Sequence, residues 1–577
     1  MKDRVYKDIG AVKPEEMWKQ IDWRATKEQV KNLRHRIYRA TQEEKWNQVR
    51  SLMKLMLRSR ANLLVSARRV TQENAGKNTP GVDGRTATTA LERGKLVKEM
   101  QLYQAWKVKP TKRIYIPKAN GQKRPLGIPC LIDRVMQAIV KNALEPSWEA
   151  RFESRSYGFR PGRSTQDAIQ HCWSCFKSDR PNQWVLDADI KGAFDNVCHT
   201  NLLKQIGEIP GRALIKKWLK AGYLEQDSWN ATEQGTPQGG VISPLLMNIA
   251  LYGMQTLLSQ FKRIRYYTVR SGKYIGKRYP KEQPRYRLAV YADDFVISTE
   301  TKEEAEAAIP ILSEWLKERG LQLHPDKTRV VNIAQGFNFL GTTVRRYNGI
   351  CIVKPQKEKV LLFLKRIRTW IKDHPEIKQE SLIQHLNPVI RGWGEYYRSC
   401  SSKNIFGYVD HEIWKAIWGW CLRKHPNKGK RWVANKYFHT MNNRKWIFAK
   451  ATNDRQGKKH WVSLKKLSAI KIKRHVMVKG NASPDDPNLK TYWKNRQEKR
   501  AKENWEQGSR FDRVASKQNW CCPICAEGIF NDERIHLHHK IPIKEGGNEG
   551  IKNLVWLHKI CHQQIHSNKE KLEKLKA

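Results

Sequence analysis

The chain has 577 residues, 39% of them hydrophobic, which is length for several domains of roughly 100–200 residues and enough apolar material for real cores, so an unfolded polycation is excluded. Lys and Arg total 109 against 56 Asp and Glu, and the formal net charge of +53 is spread along almost the whole sequence. With 22 Trp and 19 Tyr to stack and anchor, the expected partner is nucleic acid rather than a membrane.

No apolar run approaches the ~20 residues that span a bilayer. The opening MKDRVYKDIG lacks the apolar core of a secretory signal, so a location inside the cell is expected. The cysteines are mostly scattered singly, which argues against a disulfide framework.

Residues 15 to 72 carry apolar residues at helical spacing (Val30, Leu33, Ile37, then Leu52, Leu55, Met56) among Lys and Arg, and predict a basic helical extension. From about Gly81 the texture changes. In KRIYIPKANGQKRPLGIP, the runs IYIP and LGIP flank an Asn-Gly turn, the pattern of a basic β-hairpin. WVLDADIKGAFDNV starts as an apolar strand, Trp184 to Leu186, and runs into Asp187, Asp189 and Asp195; strand alternation places Asp187 and Asp189 on one face.

AVYADDFVIST reads as two short strands joined by a tight turn at Asp293-Asp294. Two like charges held at a largely covered place are either a solvated turn or half of a site for a Mg²⁺ pair. A third carboxylate decides between these readings, and Asp189 supplies it. Strands and helices then mix to about Tyr347, ending with FNFLGTTV. From 356 to 420 helix returns, with Leu361, Leu364, Ile367, Trp370 and Ile371 on one face.

From 421 to 510 the chain is dense in Lys, Arg, His and Trp with weak periodicity, a basic binding module in which NASPDDPNLK (481 to 490) is the expected flexible joint. A separate small unit starts near Phe511. In it Cys522 and Cys525, then His558 and Cys561, form two ligand pairs at metal spacing, the donor set of a closed Zn²⁺ site. Cys521 is a substitute ligand. Cys172 and Cys175 share the spacing without a second pair and read as a chance match on a helix.

Asp189 with Phe194 five residues on, and AVYADDF, have the form of the first and second catalytic motifs of template-directed polymerases. The chain resembles reverse transcriptases, and more narrowly those encoded by group II introns, also called maturases. GVDG (81 to 84), RIYIPKANGQKRPLGIP (113 to 129), SYGFRPGRSTQDA (156 to 168), QGTPQGGVISPLLMNIAL (234 to 251), LHPDKT (323 to 328) and FNFLGT (337 to 342) extend the resemblance over most of 70 to 345.

The resemblance implies two Mg²⁺ held chiefly by Asp189 and Asp293, with Asp294 supporting or sharing an ion. Lys112, Lys118 and Arg124 would grip the incoming dNTP triphosphate, or form a solvated basic face. Phe194 would lie under the sugar and exclude a 2′-OH, or be a core residue. Gly235, Gly239 and Gly240 would let backbone approach template and nucleotide, Gln238 would touch the nascent pair, and Lys327 would stand near the phosphates or on the surface.

HLNPVIRGWGEYYRSC (385 to 400) is similar to the maturase signature, domain X, a helical thumb extension that binds intron RNA. There Arg391 and Arg398 would pair with phosphates while Trp393, Tyr396 and Tyr397 stack on RNA or pack the thumb. The N-terminal helices, leading through ARRVTQENAGKNTPGVDG, also resemble this family.

Residues 521 to 566 resemble an HNH, or ββα-metal, nuclease. His539 would be the general base, His538 and His562, with His566, would hold one divalent ion, and Asn553 would orient His539 by a hydrogen bond. The alternative is a purely zinc-binding module. His558 and His538 depart from commoner family choices, Cys and Asp or Glu.

The expected architecture is multidomain α+β: a basic helical N-terminal extension (1–80), right-hand polymerase fingers and palm (81–350), a thumb or maturase domain X (351–420), a basic DNA-binding region (421–510) and a zinc-stabilised HNH domain (511–577). The expected function is intron splicing and mobility in a bacterial or organellar interior, with intron RNA, double-stranded target DNA and dNTPs as partners. The alternatives are the reverse transcriptase of another retroelement and a splicing-only maturase.

Overall fold

The computed structural model describes residues 13–102, 106–117, 121, 123–226, 228–268, 272–273, 275–441, 443–453, 459–502, 505, 508–530 and 533–566. The basic N-terminal stretch forms helices Pro14–Gln20, Trp23–Gln42, Trp46–Arg58 and Arg60–Arg68. The second starts where the Asp22 side chain accepts from the amides of Arg24 and Ala25, satisfying donors that a helix start leaves free. Val30, Ile37, Leu52, Met53 and Met56 bury the apolar face, together with Val140 and Leu144 of the long helix Leu131–Glu149. Leu55, expected on that face, is half exposed, and Met53 takes the buried position.

The palm is a four-stranded antiparallel sheet in the order Arg329–Asn332, Trp184–Asp189, Asp294–Thr299, Arg287–Tyr291. Alternation along its strands feeds two cores: Leu186, Ala188, Phe295 and Ile297 pack into one, Val185 and Val296 into the other. The expected basic hairpin is Thr111–Pro117 paired with Lys123–Ile128, extended by Tyr223–Glu225 and Ser228–Asn230 into the fingers sheet.

Strands Phe337–Phe339, Thr342–Tyr347 and Ile350–Pro355 lead into thumb helices Lys357–Asp373, Gln379–Tyr397 and Lys403–Lys424. The buried stripe of the first helix is rotated from the expected one. Val360, Phe363, Leu364, Ile367 and Ile371 face inward, Trp370 is half-buried against His385, and Leu361 is 47% exposed. Helical spacing admits both phases, and the neighbouring helices decide between them.

The third thumb helix runs through residue 421. Beyond it, Val433, Tyr437, Phe438, Phe448 and Leu467 join the thumb's own core, and strands Phe438–Met441, Arg444–Asn453 and Lys459–Ser463 form a sheet bonded to the thumb by Gln379, whose amide donates to the carbonyls of Tyr437 and Ala449. Residues 481 to 490 are not a flexible joint. Ser483 and Asp485 are buried, the Arg34 guanidinium grips the Asp485 carboxylate through Nε and Nη2 at 2.7 Å each, and Trp493 donates to the Ser483 carbonyl. The polar residues that suggested a linker are spent on a buried ion pair.

The C-terminal unit has strands Ile535–His539 and Leu554–His558 followed by helix Lys559–His566. It does not stand apart: Val555, Leu557 and Ile565 share a core with Trp18, Ile21, Trp23 and Leu64 of the N-terminal helices. Among the described residues, no helix is long and apolar enough to cross a membrane.

Candidate polymerase, nuclease and zinc sites

Asp189 and Asp294 are direct partners across neighbouring palm strands, and Asp293 sits in the turn between Tyr291 and Asp294, its carbonyl accepting from Ile190 N at 3.4 Å. The hairpin expected around the aspartate pair is therefore present, with Ala292 at φ +57° making the reversal. Gly158, from SYGFRPG, supports that turn. A Cβ there would come within 2.4 Å of Ala292 N, and the Asn248 amide of LLMNIA holds the Gly158 carbonyl at 2.8 Å.

The carboxylates crowd one another. The protein packed around Asp294, then the charges of Asp293 and Asp189, push its carboxyl up to about 7 although the residue keeps solvent access. Burial likewise raises Asp293, and raises Asp187 to about 6 despite Arg329 at 3.2 Å. Lys327 forms an ion pair with Asp189, a contact that raises the lysine's own pKa. A set of hard oxygen donors that resists ionisation without cations fits divalent ions such as Mg²⁺.

A cavity of about 790 Å³ is lined by Arg113, Tyr115, Phe194, Gln234, Gly235 and Pro237, among others, and does not include the aspartates of this cluster in its lining. Arg124 reaches toward the palm and donates through Nε to the Gln238 side chain at 2.9 Å. Lys112 shares a sheet face with Arg124, while Arg113 lies on the opposite face, lining the cavity over the Tyr223 ring at 3.9 Å. Lys118 lies outside the described residues. Phe194 is both core and cavity wall.

The glycines of QGTPQGG serve chain-to-chain packing. A Cβ would meet the Asp195 carbonyl oxygen at 2.5 Å from Gly235, the Gly127 carbonyl oxygen at 2.8 Å from Gly239, and Ser243 Oγ at 2.6 Å from Gly240. They let the loop dock on the fingers strand, where Gly127 N donates to the Gln238 carbonyl at 2.7 Å.

In the thumb, Trp393 stacks on Phe363 with centroids 4.7 Å apart, and the hydroxyls of Tyr396 and Tyr397 donate to the carbonyls of Leu340 and Gly341. The three rings expected either to stack on RNA or to pack are spent inside the protein, two of them pinning the thumb to FNFLGT. Arg398 pairs with Glu395 at 2.7 Å, whereas Arg391 is exposed.

In the nuclease hairpin, ring nitrogens of His538, His562 and His566 all lie within 4.8 Å of one another. His538 Nε2 is buried with no hydrogen-bond partner among the described residues, and burial together with the neighbouring imidazoles lowers both His538 and His562 to about 4. Neutral imidazoles converging on an unpartnered nitrogen fit a divalent ion.

His539 is adjacent, its Nε2 3.1 Å from Glu549 Oε1. Asn553 does not reach His539. Its Oδ1 accepts from Ile541 N and its Nδ2 donates to the carbonyls of Ile541 and Asn548, so it ties down the loop that follows His539. Sequence reading missed Glu549, one of several loop carboxylates with no distinguishing spacing.

Cys522, Cys525, His558 and Cys561 are all buried with donor atoms within 4.8 Å of one another. Three sulfurs and one imidazole nitrogen converging in a dry pocket fit zinc. Cys521 stands outside this tetrad. Cys172 and Cys175 are buried core residues of helix Thr165–Phe176.

These sites define a class that the comparisons with known proteins share: a reverse transcriptase carrying a maturase domain and an HNH endonuclease. Residues 116–344 match the reverse transcriptase (RNA-dependent DNA polymerase) family, 18–100 the N-terminal domain of reverse transcriptase, 360–438 the group II intron maturase-specific domain and 522–568 the HNH endonuclease family.

Group II intron-encoded protein LtrA of Lactococcus lactis is 30% identical over 421 residues, spanning 58% of this chain and 68% of that one. Protein YkfC of Escherichia coli is 35% identical over 316 residues, 50% of this chain and 81% of that one. An uncharacterized 91 kDa protein in the cob intron of Schizosaccharomyces pombe is 28% identical over 366 residues, 52% and 44% respectively. The chain belongs to the group II intron-encoded proteins.

Proposed function

We propose that this reverse transcriptase and maturase binds its own intron RNA, nicks double-stranded target DNA with its HNH unit, and copies the RNA from the 3′ end so freed. Retrohoming is the role expected of a chain joining an RNA-directed DNA polymerase, a maturase domain and an endonuclease. The observation that carries the reading is the pairing of Asp189 with Asp294 beside Asp293 in a chain that also gathers His538, His562 and His566.

In the polymerase half, Asp189, Asp293 and Asp294 would hold two Mg²⁺, which when bound activate the primer hydroxyl and neutralise the departing pyrophosphate. The side chains do the rest. Arg124, steadied by Gln238, presents a guanidinium fork to the triphosphate, with Lys112 on the same sheet face and Lys118, by the resemblance, adding charge. Phe194, five residues on from Asp189, would lie under the sugar and exclude a 2′-OH. Lys327, beside Asp189, is placed to hand a proton to pyrophosphate.

In the nuclease half, His538, His562 and His566 would hold a divalent ion. His539, with the proton of Nε2 directed at Glu549, keeps Nδ1 free to take a proton from water. Asn553 keeps the adjoining loop in place. Cys522, Cys525, His558 and Cys561, their donor atoms within 4.8 Å of one another, would hold a structural Zn²⁺. Arg391 and Arg398 contact intron RNA phosphates, and the basic stretch 421–510 contacts target DNA.

The test is RNA-templated primer extension and DNA nicking by the full chain, with sequencing of the RNA that copurifies. The expected RNA is a single excised intron. Failure of the unmodified protein both to extend a primer on RNA and to nick DNA would leave only a binding role.

A further inference from the structure

The C-terminal unit docks on the N-terminal helices around a buried cation. Arg68, at the end of helix Arg60–Arg68, is fully buried, its guanidinium 4.7 Å from the Trp23 ring centroid. Its Nη2 lies 3.5 Å from Cys561 Sγ and 3.9 Å from the Glu533 carboxylate, and its Nε lies 3.1 Å from the Glu73 carboxylate. Nη1 is buried with no hydrogen-bond partner among the described residues.

A guanidinium taken out of water this completely needs negative charge beside it. The hydrogen bond to Cys561 is informative because a thiol is a weak acceptor, whereas a zinc-bound thiolate is a charged one. Three thiolates and a neutral imidazole around Zn²⁺ carry one net negative charge, and Arg68 is the cation at the edge of that cluster.

The surrounding seam is continuous. Lys27 pairs with Glu527 at 3.2 Å, Gln564 donates to the Ile21 carbonyl at 3.1 Å, and Trp18, Trp23 and Leu64 share a core with Cys522 and Cys525.

We propose that the polymerase half completes the nuclease's zinc centre: Arg68 donates to the zinc-bound thiolate of Cys561, so that zinc loading and docking of the C-terminal unit on the N-terminal helices form one coupled equilibrium. This rests on the zinc reading above. The docked nuclease keeps its histidine site open, His566 being exposed and His562 half-buried, so the latch holds the nicking site in a set place relative to the palm.

The test uses the full chain, with bound zinc measured by mass spectrometry, its release followed with a colorimetric chelator, and hydrogen–deuterium exchange read over residues 60–73. Arg68→Met should release zinc about tenfold faster, with Arg68→Lys intermediate. Stripping zinc from the unmodified protein should raise exchange across 60–73.

Either unchanged release from Arg68→Met or unchanged exchange on stripping overturns the proposal, and the exchange arm decides the matter if Arg68→Met does not fold. A chain that binds no zinc removes the zinc reading and this proposal together. Zinc that is bound but released independently of Arg68 removes the latch alone.

Discussion

Asp189 and Asp294 stand opposite one another on adjacent palm strands, and Lys327 closes an ion pair on Asp189 from the segment that follows the palm's helix Lys302–Lys317. The three side chains come from separate parts of the chain, so the site exists only when the sheet is in register. Asp293→Asn should therefore lower RNA-templated extension by at least about 10²–10³-fold while nicking of duplex DNA persists. Both activities measured on the same preparation check this.

Gly158 tests the support of that turn without touching a carboxylate. Gly158→Ala places a methyl 2.4 Å from Ala292 N, a backbone atom that must move. A displacement near 1 Å at the aspartate pair is expected to cost roughly 100-fold in extension rate, with nuclease activity and thermal stability of the C-terminal unit unchanged.

The nuclease roles separate in a complementary way. His539→Ala should reduce nicking by roughly 10²–10⁴-fold, the usual worth of a general base, and leave primer extension on an annealed template intact. A nicking rate within twofold of the unmodified protein would remove His539 from the reaction.

The thumb offers a contrast between packing and binding. Tyr397→Phe removes the bond to the Gly341 carbonyl and should cost about 1 kcal/mol of stability with RNA affinity unchanged where the protein is folded. Arg391→Ala should leave stability alone, weaken RNA binding, and reduce the slope of log affinity against log salt by about 1. Denaturation and salt-titrated binding read the two effects independently.

Two buried ion pairs set an acid dependence. Burial alone would raise Glu145, but Lys141 and Arg34 outweigh it and hold the carboxyl at about 2; burial would also raise Asp167, but His475 holds it at about 2. Both lie below the usual carboxylate range near 4, so their contribution is present above about pH 4.5 and is lost as pH falls toward 2. The urea midpoint should drop between pH 5 and pH 3, and Asp167→Asn should start lower and drop less. An equal drop in both proteins would exclude Asp167 as a source of the acid sensitivity.

What could be read from the letters was whatever chemistry is encoded at short range. The aspartate turn, the strand bearing Asp189, the fingers hairpin, the two zinc pairs and the histidine set all announce themselves, because strand alternation, turn residues and ligand spacing act within a few positions. Choices among equivalent local solutions were not readable. Lys112 shares the face of Arg124 while Arg113 lines the cavity on the other face, and which face meets the palm is set by how the sheet docks, seen in the bond from Arg124 to Gln238. Leu361 is outside and Phe363 inside because the neighbouring thumb helices choose the phase.

Contacts between distant segments carried no local trace at all. Asp485 reads as linker until Arg34 meets it, and Asn553 reads as a partner of His539 until its amide is seen holding Ile541 and Asn548. Arg68 is one of many basic residues in the N-terminal helices, and only packing singles it out by burying it against Cys561. Periodicity records whether a residue belongs near a core, whereas its partner there is selected by the summed packing of segments hundreds of residues apart, which leaves no spacing for a reader to find.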